Sequence, residues 1–167
     1  MIFKIKLLLC YNNIFEINVG MKKDNLLSIS PLDGRYSDIC KDIGNVFSEY
    51  SLIKYRVHIE IKWFIYLSKL NKISCLPKLK LKDEKFLNNI LVNFNLKDAE
   101  MIKKFEKKTN HDVKAVEYFL KSKFDSSTQL KKYKEYIHIC CTSEDINNLS
   151  YALMIKDGRD IILNKIN

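Results

Sequence analysis

Apolar residues recur every three or four positions from Ile39 to Leu70, at Ile39, Ile43, Val46, Tyr50, Ile53, Val57, Ile61, Phe64 and Leu67. At 3.6 residues per turn this spacing draws one stripe along a helix, so it predicts a single long helix packed in a bundle. Two prolines and four glycines in 167 residues leave little turn chemistry for hairpins, whereas long helices need few such residues. The chain is therefore expected to be all-α. Its 47% hydrophobic content suffices for a core and excludes a disordered polyelectrolyte.

The same periodicity continues downstream. Pro77 and the lysines around it mark a connection, and Phe86, Leu87, Ile90, Leu91 and Phe94 outline a shorter amphipathic helix. Asn95, with Asp98 three residues on, offers an N-cap for a helix carrying Ala99, Ile102 and Phe105, expected to fray near Lys107-Lys108. Asn110 or Asp112 then caps a helix with Val113, Val116, Phe119 and Leu120, and the polar stretch from Ser122 to Thr128 reads as a loop. Tyr133 to Cys141 is apolar enough for helix or strand. Thr142 with Asp145 resembles a capping box, opening a last helix that bears Ile146, Leu149, Leu153 and Ile155.

Residues 1 to 29 show no clean period, and Met21-Lys22-Lys23-Asp24 offers a second start, so the first 20 residues read as an appendage. Lys4 and Lys6 ahead of Leu7-Leu8-Leu9-Cys10 have the look of a leader. The apolar run breaks at Asn12-Asn13, far short of the roughly 20 residues that span a membrane. Bulky Leu9 argues against lipid attachment at Cys10. Five cysteines without a Cys-x-x-Cys pair, two of them the adjacent Cys140 and Cys141, point to neither a disulfide framework nor a zinc site, and fit a reducing cytoplasm.

A net charge of +9 attracts anions: nucleic acid, membrane headgroups or phosphorylated metabolites. Among 29 basic residues only Arg35, Arg56 and Arg159 are arginines. Forked recognition of phosphate or guanine favours arginine, so most lysines read as solvated helix faces. A basic nucleic-acid-binding module stays as an alternative. No Gly-rich phosphate loop occurs, which removes a Rossmann or ATPase reading.

Three polar clusters remain. Arg35-Tyr36 sets a permanent cation and a phenol on a loop shaped by Pro31 and Gly34, suited to a phosphate. Thr109-Asn110-His111-Asp112 and Thr142-Ser143-Glu144-Asp145 each open a predicted helix, where free N–H groups and the dipole favour anions. Plain helix capping accounts for the last two equally well, and a surface arginine beside a packed tyrosine accounts for the first.

Longer matches join these clusters. Ser30-Pro31-Leu32-Asp33-Gly34-Arg35-Tyr36, Phe47-Ser48-Glu49-Tyr50, Thr109 to Phe119 (TNHDVKAVEYF) and Thr142 to Ser150 (TSEDINNLS) resemble the N-terminal part of the bacterial-type adenylosuccinate lyase family, in the fumarase/aspartase superfamily. The resemblance covers Ser30 to about Asp160. It implies an all-α homotetramer with three subunits at each active site, and β-elimination of fumarate from adenylosuccinate or the succinyl carboxamide ribotide, without a cofactor or metal. The implied layout is an N-terminal helical domain over 21–140 and the start of a central helical bundle over 141–167.

By the same resemblance Arg35 and Tyr36 bind the nucleotide phosphate, while Asn110, His111, Asp112, Thr142 and Ser143 line the pocket around the succinyl part. His111 is a possible auxiliary in proton transfer. The family's principal acid histidine sits in a Thr-His-Gly-Gln-Pro segment and its serine in a Ser-Ser-x-Met-Pro-x-Lys-x-Asn loop. Neither motif occurs in these residues, so the chain by itself is expected to be inactive. Two other readings follow: a retained binding or regulatory fragment that associates with lyase subunits, and aggregation or association through the apolar stripe of residues 146 to 155.

Overall fold

A computed structural model describes residues 28–70 and 76–166. The leader-like run, the appendage and the alternative start at Met21 lie outside the described residues. The chain divides into two units, Met1–Cys40 and Lys41–Asn167.

Among the described residues the second unit is built of helices: α1 (Lys41–Phe47), α2 (Glu49–Lys69), α3 (Leu81–Val92), α4 (Leu96–Thr109), α5 (Asp112–Phe124) and α6 (Ser143–Ile166), with a 3-10 helix over Leu130–Tyr136. No strand occurs among them. No helix is long and apolar enough to cross a membrane.

The predicted single helix from Ile39 to Leu70 is two helices. Ser48 takes an extended conformation and its Oγ accepts the Ser51 N–H at 3.3 Å, so a new helix begins at Glu49. The apolar period runs unbroken across this cap because α1 and α2 both bury the same stripe, from Val46 through Ile53, Val57, Ile61 and Phe64. Gly158 of α6 lets the Phe47 ring close in at this junction: a Cβ there would lie 2.4 Å from Phe47 Cε2.

Helix α2 is the hub, in contact with α1, α3, α4, α5 and α6. Its buried face meets α5 where Phe64 lies T-shaped on Phe124 with centroids 5.0 Å apart, and Phe94, in the connection after α3, lies edge-on to Phe119 of α5 at 6.0 Å. Each large side chain so buried contributes roughly 1.5–3 kcal/mol of transfer free energy. The capping expected at Asn95 is present in full. Its side chain accepts from Lys97 N–H, and Asp98 accepts from Asn95 N–H.

The buried face of α2 also holds two charges, Arg56 and Glu60, one turn apart and next to Val57 and Ile61. Charged side chains are almost never fully buried unless paired. Their partners lead to the candidate site.

Candidate functional site

Within the first unit, Ser30 to Cys40 is a chain of tight turns. The Ser30 N–H donates to Asp33 Oδ1 at 2.8 Å, the Tyr36 N–H to the Pro31 carbonyl at 2.8 Å, and the Cys40 N–H to the Tyr36 carbonyl at 3.0 Å. Gly34 makes its turn without a positive φ, since no described glycine has one. The loop presents Arg35 and Tyr36 exposed and side by side, the guanidinium carbon 5.4 Å from the ring centroid. That arrangement leaves the guanidinium donors free to turn towards an anion.

In the second unit, Thr109 closes α4 and Asn110 is its C-cap, in the left-handed conformation (φ 50°) that asparagine tolerates better than most residues. His111 then stands extended and caps α5 itself. Its Nδ1 accepts the Lys114 N–H at 3.2 Å. The cap is therefore neither Asn110 nor Asp112, because the one-residue left-handed corner puts His111 where the first free N–H groups of α5 need an acceptor. With Nδ1 accepting, the imidazole proton belongs on Nε2, pointing a donor away from the helix.

Asp112 faces inward. Its Oδ1 accepts the Val113 N–H at 2.8 Å and its Oδ2 pairs with Arg56 Nη2 at 2.6 Å. The Arg56 Nε–H donates to Asn147 Oδ1 of α6 at 2.9 Å. One buried guanidinium thus ties the start of α5 to the second turn of α6. At the head of α6 the expected capping box is complete: Asp145 Oδ2 accepts from Thr142 N–H at 2.7 Å, and Thr142 Oγ1 accepts from Asp145 N–H at 3.3 Å. Ser143, half-buried, follows as the first helical residue.

One turn along α2 from Arg56, Glu60 Oε1 meets His138 Nδ1 at 2.6 Å. The starts of α5 and α6, and the turn leading into α6, are all anchored on the same stretch of α2. Asn110, His111, Asp112, Thr142 and Ser143 thus share one support. The Arg35–Tyr36 pair belongs to the first unit.

Sequence reasoning missed Arg56, Glu60 and Asn147 as site residues. A signal was present: Arg56 is one of three arginines in a lysine-rich chain, and with Glu60 it interrupts an apolar stripe at positions that should face the core.

Two carboxyls near this support titrate low. Burial pushes Asp112 up, but the Val113 N–H, the Arg56 guanidinium and nearby His111 outweigh it. Burial likewise pushes Glu117 up, against hydrogen bonds from Lys114 and Lys121 that hold it below its ordinary value. A carboxyl depressed in the folded state contributes stability that is present above its unfolded pKa and lost as pH falls through the folded one. The urea midpoint should therefore hold at neutral pH and decline below about pH 4. A Lys114→Met, Lys121→Met double variant should show a shallower decline, and identical profiles would contradict this account.

A groove of about 450 Å³ lies elsewhere, lined among others by Tyr50, Ile53, Lys103, Lys104 and Lys107. Lys103 is already paired with Glu49 at 2.6 Å and Glu106 at 2.7 Å. The groove shares no residue with the helix-start cluster.

The model of a lyase family matches residues 34–167. The adenylosuccinate lyase of Buchnera aphidicola subsp. Schizaphis graminum is 48% identical over 143 residues, 86% of this chain and 31% of that protein. That of Legionella pneumophila strain Corby is 54% identical over 133 residues, 80% of this chain and 29% of that protein. That of Escherichia coli K12 is 45% identical over 143 residues, again 86% and 31%. The chain spans about a third of the length of these relatives.

Proposed function

The chain belongs to the lyase family whose model covers its residues 34–167, an all-α family of the fumarase/aspartase superfamily, and from that membership we propose that it is the substrate-holding N-terminal portion of an adenylosuccinate lyase-like protein. The observation that carries this reading is the bridge from buried Arg56 to Asp112 at the start of α5 and to Asn147 in the second turn of α6, the helices that the segments Asn110–Asp112 and Thr142–Ser143 open. In the proposed division, 1–20 is an appendage, 21–140 the N-terminal domain and 141–167 the start of the central bundle.

Adenylosuccinate carries a phosphate and two carboxylates on its succinyl group. In this reading Arg35 and Tyr36 take the phosphate, while His111, through Nε2–H, and the N–H and O–H donors at the head of α6 hold a succinyl carboxylate. β-Elimination requires a base to remove the proton beside one carboxylate and an acid to protonate the departing nitrogen. Donors on the carboxylate stabilise charge as the C–N bond breaks and fumarate leaves. His111 fits an auxiliary part. No residue of the Thr-His-Gly-Gln-Pro or Ser-Ser-x-Met-Pro types is here to be principal acid or base, so this chain alone binds without turnover.

The exposed apolar residues of α6, including Leu149, Ile155, Ile162 and Leu163, are then the face that meets further bundle helices in a homotetramer, in the cytoplasm. The same face supports a second reading, a fragment retained to associate with lyase subunits.

Titrating AMP into the purified chain, read by chemical-shift changes, tests the assignment. Binding should saturate, and Arg35→Met should weaken it by about tenfold or more, the range of a charge-assisted hydrogen bond. No saturable binding, or binding indifferent to Arg35→Met, would count against it.

A further inference from the structure

The groove of about 450 Å³ lies between the first turns of α2 and the length of α4. We propose that it binds one medium-chain acyl carboxylate, an unbranched apolar tail with a single anionic head, the head being taken by Lys104 and Lys107. None of its lining residues belongs to the proposed substrate segments, so the site stands or falls apart from the lyase reading.

The walls are fixed before any ligand arrives. The Tyr50 hydroxyl donates to the Phe94 carbonyl at 3.1 Å, and the two rings lean together with centroids 5.7 Å apart. Ile53 and Ala99, both buried, form the apolar floor. Lys103 is held in place by Glu49 and Glu106. A site already in its bound shape costs little ordering on binding, and a volume of this size is in the range that takes small molecules.

Polarity changes along the groove side of α4, from Leu96 and Ala99 at one end to Lys103, Lys104 and Lys107 at the other. Leu96 lines the groove yet is 63% exposed, and a tail laid against it takes that surface out of water. At 1.5 Å per residue, Ala99 to Lys107 spans about 12 Å, roughly the length of a ten-carbon chain. An acid of that length reaches the lysines with its head while its tail covers Leu96 and the floor.

Charge selects the head. Lys104 and Lys107 are exposed and have no partner among the described residues. They stand three residues apart on one helix, where like charges repel, and one carboxylate between them relieves that repulsion. The two carboxylates on the lining set the limit. Glu49 is paired with Lys103, but Glu100 has no partner among the described residues. It repels a second negative charge, so the groove suits a single head and disfavours a polyanion such as nucleic acid.

The test is a titration of decanoate, kept below its micellar concentration, into the purified full chain, followed by amide chemical shifts. Binding should saturate at one per chain, with the shifts centred on Tyr50, Ile53, Leu96 and Ala99. The Lys104→Met, Lys107→Met double variant should weaken it about five- to tenfold, the worth of two exposed ion pairs, and Leu96→Ser by about threefold or more. Lys97→Met and Lys108→Met, exposed lysines of α4 outside the groove, should leave it unchanged. Acetate, a head without a tail, and decyltrimethylammonium, the same tail on a cationic head, should produce no such shifts. Equal binding of the cationic amphiphile, indifference to the double variant, or shifts confined to the exposed apolar residues of α6 would overturn the proposal.

Discussion

Phe119→Ala should cost the folded chain about 3–5 kcal/mol, the usual loss for emptying a fully buried aromatic site. Phe119 is 0% exposed, packs edge-on to Phe94, and shares the core cluster with residues of α2, α3 and α4. Truncation removes its own transfer free energy and leaves a cavity that four helices cannot close. Against a total stability of about 5–15 kcal/mol for a domain, such a loss would leave a large unfolded fraction on mild warming. The urea midpoint, with the slope unchanged, is the reading. A loss under 1 kcal/mol would mean that α5 is not the core helix described here.

The second large effect is an asymmetry at the Arg56–Asp112 pair. Arg56 is 6% exposed, while the Asp112 side chain is 43% exposed. Removing one partner of an ion pair is costly mainly because the survivor stays buried without compensation. Asp112→Ala leaves the guanidinium in the core with only Asn147 as acceptor and should cost about 3 kcal/mol. Arg56→Met fills most of the space and leaves a carboxylate that can turn to water, so about 2 kcal/mol is expected. Combining the two changes should recover part of the loss, because no charge is then stranded. Equal single losses, or strictly additive ones, would contradict the bridge between α5 and α6.

These two sites also mark what could be read in advance. The core position of Phe119 was legible because it depends on local period: Val113, Val116, Phe119 and Leu120 fall on one face whatever α5 packs against. The capping boxes at Asn95 and Thr142 were legible for a similar reason, since both partners lie within three residues. Arg56 and Glu60 were not, because their acceptors and donors stand 56, 91 and 78 residues away, at Asp112, Asn147 and His138. The break at Ser48 was hidden by a stripe that both flanking helices continue. The cap at His111 was hidden because histidine rarely serves as one, and only the left-handed Asn110 before it creates the opening. Tyr133 to Cys141 read as helix or strand and is neither throughout: a 3-10 helix ends at Tyr136, and left-handed His138 and Cys140 shape the rest. That shape answers to Glu60 and Trp63 on α2, which no local pattern reveals.

The proposed site holds a substrate and lacks the groups that break it, and this division can be measured directly. Purified chain is incubated with adenylosuccinate and fumarate release is followed, first alone and then after adding the remaining two-thirds of an adenylosuccinate lyase bearing the Thr-His-Gly-Gln-Pro and Ser-Ser-x-Met-Pro motifs. The account predicts no release above the uncatalysed rate from the chain alone, and release that begins on mixing and falls with Arg35→Met. Steady turnover by residues 1–167 alone would contradict it.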